Sequence, residues 1–305
     1  ILMITIYIKG DLMYAFVILH YLSEEMTIEC IDWIKKSCSL DSFKIIIVDN
    51  ASGNGSGELL KKRYINDNSC DVIINEDNLG FAQGNNVGYK FAKNKYNPEY
   101  IIIMNNDVLI KDISFLKNVD KIYKETSFHV LGPNIISKLN GEHQNPLRLV
   151  GYTKAEMEKN KRNLEKYVSH FPSHYFYYFT LKSAKIGVKK ILGKEIKTVV
   201  ESKDYLQKRI YNPVLHGACY IFSKDFIYKE EFAFNPDTFL YYEEDILHYF
   251  CQKKGYTMIY DSSISVEHLE DVSTNMAITS PYKRLRMKYR NMLNSANVLL
   301  NLMNE

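Results

Sequence analysis

Tyr100-Ile-Ile-Ile-Met-Asn-Asn-Asp107 is the stretch that decides how the rest of this 305-residue chain is read. Four apolar residues end abruptly in two amides and a carboxylate. Ile101, Ile102 and Ile103 are β-branched and favour strands. A short run that is apolar on both faces reads as a buried strand of a parallel sheet. In open α/β sheets, ligands sit beyond the carboxyl ends of the strands. Asn105, Asn106 and Asp107 therefore emerge where a ligand would lie, and their oxygens are hard donors of the kind that hold Mg²⁺ or Mn²⁺ on phosphate. The same triplet also serves as an ordinary Asn-Asp turn. By itself it does not separate the two readings.

Upstream, Ala15–Leu19 and Phe43–Val48 have the same strand character, and Asp71–Asn75 forms a shorter third strand. Ser23 precedes a helix reaching about Ser37, with Glu24 and Glu25 in its first turn. A second helix is predicted from about Glu58 to Tyr64. Asn78-Leu-Gly-Phe-Ala-Gln-Gly-Asn-Asn-Val-Gly88 reads as a loop running into a helix that ends near Lys95. Strands alternating with helices predict a doubly wound, mostly parallel sheet. All the polar clusters then fall on one side of it: Asp49-Asn50-Ala51-Ser52 after the second strand, the Asn78–Gly88 stretch after the third, and Asn105–Asp107 after the fourth. Asp49 can accept hydrogen bonds from a base or a ribose. Gly80 and Gly84 let backbone approach a ligand, with Asn85 and Asn86 beside them. The stretch is neither G-x-G-x-x-G nor a P-loop.

Composition bounds the rest. A net charge of +3 gives no global drive toward nucleic acid, and 46% hydrophobic with 25% charged residues is ordinary for a globular chain. No apolar run is long enough to span a bilayer. Five dispersed cysteines with no C-x-x-C pair fit reduced thiols of the cytoplasm rather than a disulfide framework or zinc site. The first twelve residues lack the features of a signal peptide and read as vector or upstream sequence before a natural start at Met13.

Downstream, a helix is expected over Ser114–Glu125 and a strand over His129–Pro133. Residues 151–205 then carry twelve Lys or Arg against six Asp or Glu, interleaved with the aromatic run Tyr167–Phe179. That mixture suits an anionic membrane face. It equally suits an inserted helical subdomain that packs its own small core. His170 and His174 are read as packing residues. Strand character returns over Val214–Phe222, where Gly217 leaves room for a substrate. Glu243-Glu244-Asp245 opens a helix that closes at Gly255, and a carboxylate there facing a cleft would act as a general base. Two short strands, Thr257–Tyr260 and Ile264–Val266, precede His268. Ser280 and Pro281 start a last helix with one apolar face. The cluster Lys283, Arg284, Arg286, Lys288 and Arg290 is read by default as its solvated side.

Taken in order, Val48–Ser52, Asn78–Asn86, Met104–Asp107, His216–Ala218, Phe239–Asp245 through Tyr256, and His268 resemble a family 2 glycosyltransferase of the GT-A fold. The resemblance spans about Met13 to Met276, with 138–210 as an insertion. The nearest relatives look like bacterial capsule or O-antigen enzymes, including a rhamnosyltransferase-like branch. It implies a nucleotide-sugar-binding half over 13–137, an acceptor- or membrane-facing insertion over 138–210, an acceptor and catalytic half over 211–279, and a C-terminal helix over 280–305. It implies that Asp49, Asn50, Ser52, Asn78, Gly80, Gly84, Asn85, Asn86, Asn105, Asn106 and Asp107 line a UDP- or dTDP-sugar. His216, Gly217, Tyr242 and Glu243 would border the sugar and acceptor, and Asp107 and His268 would hold Mg²⁺ or Mn²⁺. The family's D-x-D motif begins here with Asn105 rather than an acid. The base is Asp245 when the acid pair is read by residue type, and Glu244 when counted back from Gly255-Tyr256. The implied reaction is an inverting transfer to a hydroxyl of a glycan or lipid-linked saccharide, in the cytoplasm or peripherally at the inner face of the plasma membrane. Two other readings compete. One is a GT-A domain that binds sugar nucleotide without turnover or scaffolds an assembly complex. The other is a nucleotidyltransferase, which the His20–Ser23 loop fits poorly.

Overall fold

The structure is a computed structural model that describes residues 12–39, 41–177, 180, 208–270 and 280–305. In chain order the elements are β1 (Met13–His20), α1 (Glu24–Ser37), β2 (Ser42–Asp49), α2 (Ser56–Tyr64), β3 (Cys70–Ile74), α3 (Gly80–Tyr96), β4 (Tyr100–Asn105), β5 (Val108–Leu109), α4 (Phe115–Thr126) and β6 (Val130–Ser137). There follow α5 (Lys154–Ser169), β7 (Arg209–Tyr211), β8 (Cys219–Ser223), α6 (Lys224–Lys229), α7 (Glu243–Lys254), β9 (Met258–His268) and α8 (Pro281–Asn304).

The strands form one mixed, mostly parallel central sheet in the order β3-β2-β1-β4-β8-β6-β9-β5, with β7 added on β9. The first four positions are wholly parallel. β8 then enters antiparallel between β4 and β6. Successive residues of each strand feed opposite faces, as the period of a strand requires. On β1, Phe16 and Ile18 join Ile31 and Ile34 of α1, Leu60 of α2 and Val119 of α4 in one buried cluster. Ala15 and Val17 join Ala82 and Tyr89 of α3, Phe226 of α6 and Leu247 of α7 in the other. A third, smaller cluster unites Met157 and Leu164 of α5, Ile246 of α7, and Ala296 and Leu299 of α8. α5 and α8 thus pack as a pair outside the two main layers of helix.

The run Ile101-Ile102-Ile103 is fully or almost fully buried, as expected for a central strand. The caps at Ser280 and Gly255 are present, the first accepting from Lys283 N and the second in the left-handed conformation. His174 stacks on Tyr167 at 4.1 Å, a packing role. Among the described residues no helix is long and apolar enough to cross a membrane. The cysteines are free, and four of the five are buried.

Four local expectations need correction. Ser23 makes no side-chain cap bond to α1. The stretch from Gly80 onward is already helix rather than loop. Gly88 presses so closely on Val17 and Val48 that a Cβ would collide with both, and this packing outweighs the poor helix propensity of glycine. The strand expected from Val214 begins only at Cys219, because Val214 makes an isolated bridge with Arg148 instead. The two short strands before His268 are one, β9. Its ladder with β6 continues across a bulge where Asp261 Oδ1 accepts from Ser263 N at 2.9 Å, and that polar interruption splits the apolar pattern. Of the basic and aromatic stretch expected over 151–205 to suit a membrane face, residues 178, 179 and 181–205 lie outside the described residues, as do residues 1–11.

Candidate active site

Strand register gathers the site. His20 pairs with Asp49 at the ends of β1 and β2, and Leu19 pairs with Asn105 at the end of β4. The antiparallel entry of β8 brings Ala218 to β4, where its carbonyl accepts from Asn105 N at 2.9 Å. β5 pairs Val108 with His268, and Asp107 O accepts from Leu269 N at 2.9 Å. Residues separated by some 160 positions therefore meet at one edge of the sheet. The cleft there is lined by Asn105, Arg148, His216, Gly217, Tyr241, Tyr242 and the α7 acids, and has a volume of about 350 Å³.

The candidate nucleotide residues divide into two groups. Asn50 and Asn86 are bound by the protein itself at both amide atoms, and Asn106 at its nitrogen. Asn50 donates to Asn78 Oδ1 and Gly80 O, and accepts from Asn75 and Leu79 N. Asn86 donates to Phe234 O and accepts from the amides of Ala233 and Phe234. Asn106 donates to Thr27 Oγ1 at 3.0 Å. Ser52 accepts from Leu22 N at 2.8 Å, and Asn78 Oδ1 accepts from Gly80 N at 2.9 Å. Gly80 has a φ of +75°, and a Cβ there would strike Phe239 O; Gly84 rests on Leu19 and Asn50. These residues build the rim. Asp49, Asn85 and Asp107, by contrast, each keep one buried oxygen, Oδ1, without a hydrogen-bond partner. Buried acceptors left alone are costly, so they mark where a ligand would be recognised.

Asp49 is supported from below by a residue that the motifs do not contain. His20 is fully buried, with Nδ1 2.7 Å from Thr27 Oγ1 and Nε2 2.7 Å from Ser56 Oγ. Thr27 gives its own proton to Ser23 O, so His20 Nδ1 is the donor. Burial lowers the His20 pKa against the opposing pull of Asp49.

Asp107 and His268 face each other, Oδ1 to Nε2, at 3.3 Å. The partners behind them orient the ring. Glu270 can only accept, so Gln144 presents its amide nitrogen to Glu270 at 2.8 Å and its oxygen to His268 Nδ1 at 2.7 Å. Nδ1 is thus a donor, and the Nε2 edge faces a carboxylate oxygen that has no hydrogen-bond partner. An imidazole nitrogen and a carboxylate so placed fit a shared cation, and a histidine held through its far nitrogen is the usual support for one. Among the described residues no group of three or more His, Cys, Asp or Glu forms such a site. The pair fits a divalent ion only with further oxygens from a ligand or water. His216 stands beside it, ring centroids 5.8 Å apart, and its Nδ1 accepts from Ala218 N. Burial, with His268 adding to it, pushes its pKa down to about 4, so the ring is neutral with an N–H at Nε2.

α7 begins after two successive non-glycine residues at positive φ, Tyr241 at +74° and Tyr242 at +65°, a strain of about 1–3 kcal/mol each. The turn delivers three carboxylates together. Glu243 is buried, and burial followed by the charge of Glu244 drives its pKa to about 8. Glu244 lies on Gly217, where a Cβ would come within 2.7 Å of its Oε1. Burial raises its pKa, while backbone N–H donors including Gly217 and the Arg148 charge oppose the rise. Burial takes Asp245 to about 6 against the pull of its ion-pair partner, Arg148. Tyr242 packs edge-on against Tyr152.

The motifs miss His20, Gln144, Glu270 and Arg148. His20 ends an apolar strand as many structural histidines do. The other three stand in stretches without periodicity, and no sequence signal separates them from solvated side chains.

The family model described as glycosyl transferase family 2 matches residues 15–185, more than half of the chain. Among curated proteins, glycosyltransferase GlyG of Streptococcus pneumoniae is 33% identical over 92 residues, covering 30% of this chain and 29% of its own length. The low-salt glycan biosynthesis hexosyltransferase Agl10 of Haloferax volcanii is 24% identical over 95 residues, covering 31% and 29%. These matches thus span under a third of either relative. Among solved structures, S. aureus TarS 1–349 in complex with UDP-GlcNAc superposes with a TM-score of 0.52 at 14% identity, covering 95% of this chain and 70% of that one. GalNAc-T7 with UDP, GalNAc and Mn²⁺ gives 0.54 at 12%, covering 87% and 45%. At such identities the likeness is one of fold, the GT-A fold.

Proposed function

Because the chain belongs to glycosyl transferase family 2, we propose that it moves a hexosyl or rhamnosyl unit from a UDP- or dTDP-sugar to a hydroxyl of a glycan or lipid-linked saccharide, with inversion. Synthesis of a capsule or O-antigen type of surface polysaccharide is the setting we infer. The observation that carries the reading is the pairing of buried oxygens without a hydrogen-bond partner on Asp49, Asn85 and Asp107 with a cleft lined by Asn105 of the β4 end and by the acid cluster of α7. The UDP and UDP-GlcNAc complexes of TarS support a nucleotide-sugar donor, and the hexosyltransferase relative supports a hexose.

In this reading Asp49 Oδ1 accepts from the base or ribose, and Asn85 Oδ1 accepts from a second nucleotide donor. Asp107 and His268 would hold Mg²⁺ or Mn²⁺; such an ion, when bound, neutralises charge on the departing diphosphate. His216 presents a neutral N–H to the same corner. An α7 carboxylate, Asp245 or Glu244, takes the proton of the acceptor hydroxyl as it attacks the anomeric carbon. The exposed Phe176 and Tyr177 follow Phe171 and Tyr175, which pack on Tyr282 of α8, a helix basic in its first half. That face supports peripheral contact with an anionic membrane, to be checked by co-sedimentation with anionic vesicles at low salt.

The test is thermal and chemical stability with UDP and with dTDP, each with and without Mn²⁺. A nucleotide at a hundred times its dissociation constant stabilises the native state by about 2.7 kcal/mol. Metal-dependent stabilisation by one of the two is expected. No response to either would instead favour a domain without donor binding.

A further inference from the structure

We propose that Arg148 is a positioning residue that divides the α7 acids between two tasks: it holds Asp245 as its counter-ion and leaves Glu244, on Gly217, as the base. The proposal rests on the glycosyl-transfer reading above and names which acid does the work.

Geometry separates the two carboxylates. Arg148 is fixed through its backbone, since Val214 N donates to Arg148 O at 2.9 Å and Leu147 N donates to Val214 O at 2.9 Å. Its guanidinium lies 4.1 Å from the centroid of the Tyr152 ring and pairs with Asp245 Oδ1. The pair is made through Asp245 Oδ1, and Asp245 is almost fully buried. Glu244 has no such partner. It rests on Gly217, next to Ala218, whose carbonyl is bonded to Asn105 N. Of the three acids it is therefore the one tied to the strand end that carries Asp107. Glu243 is buried, and burial followed by the charge of Glu244 pushes its pKa up to about 8.

The groups around Glu244 that bear on its charge come from several elements. Arg148 and Tyr152 stand on the stretch before α5, His216 on the approach to β8, Tyr220 on β8, and Tyr242, Glu243, Asp245 and His248 on or at α7. Tyr220 and Tyr242 are held neutral by burial, and burial likewise keeps His216 and His248 neutral. Arg148 lowers the pKa of Glu244, while Glu244 and Asp245 are coupled carboxylates in which the charge of one raises the other.

The step balances simply. The acceptor oxygen forms a bond to the anomeric carbon, the bond from that carbon to the diphosphate oxygen breaks, and its electron pair leaves with the nucleotide. The hydroxyl proton passes to Glu244.

The experiment is a carboxyl ¹³C NMR titration of the full chain, with signals assigned through E244Q and D245N, alongside the pH profile of UDP release from UDP-GlcNAc. R148M is expected to shift Glu244 and Asp245 titration to higher pH, and D245N to shift Glu244 to lower pH. The acidic limb of the rate profile follows in the same directions, and R148K returns it toward that of the unaltered protein because the charge is restored. E244Q is expected to lose about 10²- to 10⁴-fold in kcat, and D245N under about tenfold at its own optimum. Where R148M alone does not fold, R148M/D245N leaves no unpaired charge, and its Glu244 titrates above that of D245N. Unmoved titrations in the Arg148 variants, or a D245N variant as inactive as E244Q, would overturn the proposal. Absence of nucleotide release and of UDP or dTDP binding by the unaltered protein would defeat the glycosyl-transfer reading instead, while the titration still decides the division of the acids.

Discussion

At the ends of β1, β2 and β4, polar side chains are held by one another and by their own loops; at the start of α7, three carboxylates crowd into a corner with one arginine. The first region is parallel sheet, and its geometry follows from a short, repeated unit of strand, turn and helix. Its asparagines spend their hydrogen bonds on backbone, leaving a few oxygens open. The second is assembled from an antiparallel strand, a strained aromatic turn and the stretch between β6 and α5 that carries Arg148. Burial raises the pKa of all three of its acids. In the proposed reading, a rim that recognises a ligand satisfies most of its polar atoms and leaves a few open, whereas one that moves a proton keeps carboxylates near the point of titration.

Three experiments press on that difference, the first with the largest effect. Glu243 has a folded-state pKa near 8 against an ordinary 4.5. A carboxyl raised by folding contributes stability that is complete below about 4.5 and lost as pH rises through about 8. E243Q keeps the side-chain shape without the charge. It should therefore gain on the unaltered protein across that window, by on the order of 4 kcal/mol at its upper end; denaturant midpoints taken from pH 4 to 9 read it out. Parallel curves for the two proteins would mean that Glu243 is ionised and solvated.

Next is Asn86, which resembles a nucleotide contact by motif and a structural clasp by geometry. N86A strands three buried backbone groups of Ala233 and Phe234. A loss of about 3 kcal/mol is expected from groups left unpaired, with nucleotide affinity, measured by calorimetry, retained. The reverse outcome, weakened affinity at full stability, would move Asn86 into the ligand-facing group. Smallest is D107A. It should abolish the metal-dependent part of the roughly 2.7 kcal/mol stabilisation by nucleotide and leave the unliganded protein close to its original stability. A response to Mn²⁺ that survives would remove Asp107 from the metal pair.

Much of the fold is legible in the chain because its signals are local. Ile101–Ile103 announces a buried strand, and Gly255 and Ser280 mark helix ends, each through conformational preferences carried by a few residues. The hydrophobic period splits β9 in two because it does not register that the ladder continues past Asp261 and Ser263. The start of α3 was hidden because its glycines are placed by contact with Val17, Val48 and Leu19, not by propensity. For the site, the order of motifs was enough to choose Asp49, Asp107, His268 and the α7 acids as candidates.

By itself, then, the sequence determined the doubly wound sheet, the side on which its polar strand ends gather, and the set of side chains with the right chemistry. Tertiary structure alone decided which of those side chains are already satisfied and which stand open. It also decided that Gln144 and Glu270 fix the His268 ring, and that Arg148 reaches Asp245. The reason is physical. Strand and helix patterns are written in neighbours along the chain, whereas a hydrogen-bond partner or a counter-ion is a matter of distance in space, set here by strand register and by one arginine's place beside Val214.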